Sequence, residues 1–165
     1  MKIFIALVII VLAMYSAQTS LLTFLDYNGV SANLMLPLIV STALLRGHYF
    51  GVAMGFCVGI LQDLTTGDFF GCATFAYMTI GLIFGKFSER VVKDQFLVPL
   101  LVAPIAAAIY FFITTGFIHA LGYPIDIANL IHTMLVPLIF YQIIFSLIVH
   151  KIVYDFDKFV HEYYD

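Results

Sequence analysis

Residues 3–25, directly after Met1-Lys2, contain no charged side chain. As an α-helix they extend about 34 Å, enough to cross the roughly 30 Å hydrocarbon core of a bilayer, so the run predicts a first transmembrane span. A cleaved signal peptide is the competing reading, and Met14 and Tyr15 fit poorly with small-residue cleavage at Ser16 and Ala17. The rest of the chain has the same character. It is 63% hydrophobic and 10% charged over 165 residues, which is too apolar for a soluble domain and predicts an integral membrane protein. Six spans of about 20 residues occupy roughly 120 positions and leave no room for a separate soluble domain.

The second apolar stretch, residues 31–62, is interrupted by Arg46-Gly47-His48. Read as one span it would bury Arg46 at mid-membrane, at a cost of at least about 2.5 kcal/mol. Read as two short or tilted helices it avoids that cost. Span four is expected at 69–87, span five at 96–118 and span six at 127–149, with Pro99, Pro104 and Pro137 inside the last two as sources of kinks. In this arrangement Lys2, Arg46, Lys86, Arg90, Lys93, Lys151 and Lys158 share one side. The loops at 26–31, 63–68 and 119–126 contain no lysine or arginine. The positive-inside rule then places both termini in the cytoplasm. The expected fold is an all-α integral membrane protein, a six-helix transmembrane bundle over residues 1–150. A cytoplasmic tail over 151–165 follows, amphipathic through Ile152, Phe156, Phe159, Val160 and Tyr163.

Within the third span the glycines Gly47, Gly51, Gly55 and Gly59 recur every fourth residue, one stripe on one helix face. Each mid-helix glycine costs about 1 kcal/mol relative to alanine, so the stripe makes sense only where another backbone packs closely on it. Gly81 and Gly85 in span four are its expected counterpart, and Phe56 beside Gly55 is grouped with these glycines as the helix-packing motif. The segment ends in an outer turn through Asp63, Gly67 and Asp68 before a new apolar run opens at Phe69-Phe70-Gly71. Asp68 is placed to cap the helix that follows. Asp63 is placed as a clasp, bonding Thr65, Thr66 or a neighbouring helix end.

Little else in the sequence points to chemistry. Asp63 and Asp68 are the only pair with any likeness to acid–base carboxylates, and capping accounts for them. Five histidines, at 48, 119, 132, 150 and 161, lack the spacing of metal ligands. The serines lack a nucleophile elbow. Cys57 and Cys72 read as small core residues, and Gln18, Asn33, Asn129 and Gln142 as polar groups that either line a small cavity or bond between helices. A net charge of -3 with seven scattered basic residues excludes nucleic-acid binding. No cofactor, metal or enzymatic activity is expected.

Gly51, Gly55-Phe56, Gly59, Leu61, Asp63-Leu64, Gly67 and Gly71 resemble the signature of the MreD family of bacterial rod-shape-determining membrane proteins. Pro37 early in the second span and Gly85 closing the fourth extend the resemblance. It implies a non-enzymatic member of the cell elongation machinery in the plasma membrane, acting in peptidoglycan synthesis. It also implies partnership with MreC, a single-span coiled-coil protein, and through it with MreB, the glycosyltransferase RodA and a class B penicillin-binding protein. The implied architecture is similar to the substrate-binding subunits of energy-coupling-factor vitamin transporters. The alternative is a small-molecule uptake subunit, for which Ala13 and Ala17 form a docking pair on span one.

Overall fold

The computed structural model describes residues 2–20, 32–66, 69–88, 97–124 and 126–164. Among them all regular structure is helical. The elements are α1 (Lys2–Ser20), α2 (Met35–Arg46), α3 (His48–Thr66), α4 (Cys72–Lys86), α5 (Leu97–Ala120) and α6. The last begins as Ile127–Leu130, widens into a π turn at Ile131–Leu135 and continues as Val136–Tyr164. Leu100–Ala120 and Ile127–Lys158 are long and apolar enough to cross a membrane, while Ile9–Ser20, Met35–Arg46 and Cys72–Lys86 are shorter apolar helices.

The centre of the bundle is α2. Every residue from Met35 to Leu45 is buried, and the helix packs against α1, α3, α4, α5 and α6. An apolar helix can face lipid as well as protein, and here protein covers α2 on all sides. Burial on this scale also demands that its free amides be satisfied within the protein, since each unpaired one is costly away from water. Asn33 Oδ1 accepts from Met35 N at 3.0 Å and Leu36 N at 3.2 Å, and Gln18 Oε1 of α1 accepts from Leu34 N at 2.9 Å. Asn33 is itself held from two further helices. Its Nδ2 donates to the Tyr77 hydroxyl at 2.6 Å, and its carbonyl accepts from Gln142 Nε2 at 2.8 Å. Tyr110 of α5 stacks on Tyr77 at 5.2 Å. Three of the four polar residues singled out in the sequence therefore meet around the start of α2, whereas Asn129 is exposed.

The break within 31–62 falls at Gly47, whose φ of +88° is open to glycine and strained for other residues. Arg46, just before it, does not face the hydrocarbon alone. Its Nε donates to Asp157 Oδ1 at 2.6 Å, and its guanidinium lies 5.5 Å from the centre of the Phe50 ring. Asp157 reaches it because α6 runs past residue 150 without interruption, with Val149, His150 and Val153 buried against the bundle. The packing face of this last stretch is the i, i+4 series Val149, Val153 and Asp157. The expected stripe is turned outward at Ile152, which is 45% exposed, and the side chains of Phe159, Val160 and Tyr163 lie outside the described residues. His150 Nδ1 meets Ser41 Oγ at 3.1 Å, a second link between α6 and α2.

Pro137 has no amide to donate, and the π turn just before it absorbs the mismatch, with Val136 N bonding Ile131 O. Pro104 sits inside α5. At the far end of the bundle from Arg46, the Tyr15 hydroxyl donates to Thr65 Oγ1, whose own proton is directed to Leu61 O and Gln62 O; the bond ties α1 to the end of α3.

Candidate functional site

The helices α3 and α4 form an antiparallel hairpin in which backbone lies on backbone. Gly51 faces Gly81, Gly55 faces Tyr77, and Gly59 faces Thr74. A methyl group on Gly51 would fall 2.6 Å from Gly81 O, and one on Gly55 2.5 Å from Tyr77 O and 2.8 Å from Met78 N. These neighbours are main chain, which no rotamer change can move aside. From the other side, a methyl on Gly85 would meet His48 N at 2.6 Å and Gly47 C at 2.9 Å. The stripe read from the sequence is thus covered by α4, with Gly81 and Gly85 opposite it.

Two residues of that packing motif, Gly47 and Phe56, differ from the rest. Gly47 lies before α3 begins, in the joint with α2, and its requirement is the positive φ rather than helix packing. Its carbonyl still accepts the first helical bond, from Gly51 N at 3.0 Å, and its backbone lies against Gly85, so the four-residue spacing runs to the start of α3. Phe56 is 48% exposed and lines an outward apolar groove with Tyr49, Val52 and Leu82. It follows Gly55 by one residue, about 100° around the helix, and so points away from α4.

Asp63 is the polar centre of the hairpin. It is 5% exposed. Its Oδ1 accepts from Ala73 N at 3.0 Å, and its Oδ2 accepts from Gly71 N and Thr74 N at 3.0 Å and from Thr74 Oγ1 at 2.5 Å. The residue in the N-cap position of α4 is Gly71, with φ +96° and no side chain to offer. Asp63 supplies the missing cap from another helix, taking the second and third amides of α4 and setting a carboxylate at the positive end of its dipole. The tight left-handed turn at Gly71 brings those amides round to α3. Gly67 and Asp68 lie outside the described residues. Cys57 is exposed and Cys72 is buried, so only one of the two is a core residue. Ala13 and Ala17 face an apolar groove of about 420 Å³ whose opposite wall is Phe145 and Val149 of α6.

A model of a protein family, described as rod shape-determining protein MreD, matches residues 1–160. The chain belongs to the MreD family. No curated protein and no solved structure was found to match it. Membership makes this a rod-shape-determining membrane protein, and it carries nothing of the uptake alternative. In this MreD-family chain Gly51, Gly55, Gly59, Asp63 and Gly71, which carry the resemblance read from the sequence, fall on the α3–α4 hairpin and its turn. Neither Tyr77 nor Asp157 stands out in the sequence. Tyr77 sits in an apolar helix as one aromatic among many. Asp157 has its partner 111 residues away.

Proposed function

We propose that this chain is a non-enzymatic adaptor of the cell elongation machinery, a six-span plasma-membrane bundle with both termini in the cytoplasm that binds MreC. Through MreC it acts with MreB, RodA and a class B penicillin-binding protein in peptidoglycan synthesis. The observation that carries this reading is where the signature goes. Its glycines are covered by α4, and its one carboxylate has both oxygens taken by four donors within the chain. The signature builds a stiff hairpin, and such a hairpin can hold an outward surface in fixed shape for another membrane protein. That surface includes Tyr49, Phe56, Phe75 and Leu82. An architecture like the substrate-binding subunits of energy-coupling-factor transporters follows from the same family and belongs to this proposal.

Purification in mild detergent with identification of attached proteins is the direct test. Recovery of MreC with no bound small molecule is expected. Recovery of a transporter module with a vitamin-sized ligand, and no MreC, would replace the adaptor with the uptake reading.

The six-span topology is supported by the ends of the bundle. Arg46, His48, Gly85 and Asp157 gather at one end, and the ring contact of Phe69 with Tyr123 at 5.5 Å joins the two turns at the other. Single cysteines at Asn28, Thr66 and Gly122, in a chain without Cys57 and Cys72, are expected to react with an impermeant thiol reagent on intact cells. One at Lys93 should stay unlabelled, because the basic residues mark the side that the insertion machinery retains. Labelling of position 93 from outside would end this topology.

A further inference from the structure

The α1 wall from Ile10 to Ala17 and the α6 wall from Phe145 to Ile152 face each other across a slot of about 420 Å³, with Leu34 at its floor. No polar atom opens onto it. Both walls belong to apolar helices, Ile9–Ser20 and Ile127–Lys158, so lipid is what surrounds the slot. Each wall covers two helical turns, about 10 Å along the axis. A volume of about 420 Å³ over that length corresponds to a cross-section of about 40 Å². An α-helix with its side chains is about 10–12 Å across and fills about 80–110 Å², so no helix fits between these walls. An alkyl chain, about 4–5 Å wide at carbon contact distances, enters alone or as a pair. Water finds no hydrogen-bond partner on a wall of carbon. The hydrogen bonds that tie α1 to its neighbours, Gln18 with Leu34 N and Tyr15 with Thr65, lie toward its C-terminal end. Nearer its start the helix faces the slot, whose lip is formed by the exposed Ala13 and Ile148.

We propose that the slot holds a phospholipid by its acyl chains, which join α1 to α6 where the two walls stand apart. The carbon walls and the narrow cross-section select a hydrocarbon chain, against water on chemistry and against a protein helix on width. A lipid seated there differs from one that lies along an exposed helix. It has protein on two sides and beneath it, so leaving the slot costs it dispersion contacts that a single helix face does not provide. The groove at Tyr49, Phe56 and Leu82 is of another kind, a hollow on the outside of two helices whose backbones already touch. The bound lipid goes beyond the adaptor reading and stands independently of it, since MreC recovery tests one and lipid contact the other.

The test uses the full chain in nanodiscs of phosphatidylethanolamine and phosphatidylglycerol, with a small share of the phosphatidylethanolamine carrying a photoactivatable diazirine in one acyl chain. After illumination, peptide mapping is expected to find several-fold more label per residue on the two slot walls than around Phe112 and Phe140, which are exposed on apolar helices. Ala13→Leu and Ala17→Leu each add carbon to the slot from its α1 wall. Each is expected to lower the wall labelling to the level of the exposed faces. Melting of each variant shows whether it has folded, and if one has not, the other decides. Even labelling of all apolar faces, or wall labelling unchanged in the folded variants, would overturn the proposal. A protein occupant is tested in cells with a benzophenone amino acid at position 13, on the lip. No discrete protein adduct is expected. A single dominant adduct, with a second copy of this chain or with another membrane protein, would assign the slot to that protein and overturn the proposal.

Discussion

Gly55→Leu will force α3 and α4 apart and lower the melting temperature of the purified protein. Even the first carbon of the new side chain would stand 2.5 Å from Tyr77 O and 2.7 Å from Tyr77 C. Relief comes only by separating two helices that also touch at Gly51 with Gly81 and at Gly59 with Thr74. Overpacking of this kind costs about 1–3 kcal/mol in well-packed cores, and the rigidity of the neighbour places the change at the upper end. Two controls define the effect. Gly116 lies inside α5 with nothing within 4 Å of a built methyl group, so Gly116→Ala should be neutral or stabilise by up to about 1 kcal/mol. Val52 is half-buried and turned toward the outward groove, and Val52→Leu should be mild. Recovery of MreC with the Gly55→Leu protein is measured alongside. Unchanged melting with lost recovery would make the ridge a docking face and contradict its burial beneath α4.

The second large effect is expected from Asp63→Ala. Removing the carboxylate leaves the amides of Gly71, Ala73 and Thr74, and the Thr74 hydroxyl, without their acceptor. Loss of an ordinary helix cap costs about 1 kcal/mol. Hydrogen bonds to a charged group are worth about 1.5–3 kcal/mol, and stranded buried donors add their own desolvation, so a loss of about 3 kcal/mol or more is expected here. Asp63→Asn keeps one acceptor oxygen and should fall between the wild type and the alanine variant. Asp68→Ala, read from the sequence as a cap, should cost no more than about 1 kcal/mol, since the N-cap position of α4 is Gly71 and the amides of Ala73 and Thr74 are taken by Asp63. Chemical or thermal unfolding of the four proteins in one detergent gives the order. Equal shifts for the Asp63 and Asp68 variants would remove the distinction between a clasp joining two helices and a cap serving one.

Features governed by a single segment and its solvent were legible in the sequence. A run with no charge has to be helical and covered, whichever neighbours cover it, so the apolar segments could be marked from residues 3–25 onward. Arg46 cannot sit in mid-membrane, and Gly47 beside it can take the backbone angle of a joint; the break between α2 and α3 falls there. The spacing of Gly51, Gly55 and Gly59 fixes one helix face, because the period of a helix is a local property. Gly47 shows the limit of that reasoning. Its spacing matches the stripe and its backbone meets Gly85, but what requires glycine there is the positive φ of the joint, which spacing does not show. Phe56 shows a second limit, since adjacency to Gly55 in the sequence places it on a different face of the helix.

Which surfaces meet was decided only by the tertiary structure. Nothing in the residues around Asp63 shows that the helix it caps is α4 rather than its own, because the amides it serves come eight to eleven residues later and reach it through the turn at Gly71. The central place of α2 depends on being covered from five directions at once, and an apolar sequence does not distinguish that from a surface facing lipid. The pairing of Arg46 with Asp157 spans 111 positions. The position of Asp157 on the packing face depends on how α6 is rotated against α2, which is set by Val149 and Val153 packing in the core. Local spacing determines which side chains share a face; what lies opposite that face is a property of the assembled chain, because in a bilayer both lipid and protein are apolar and hydrophobicity alone does not choose between them.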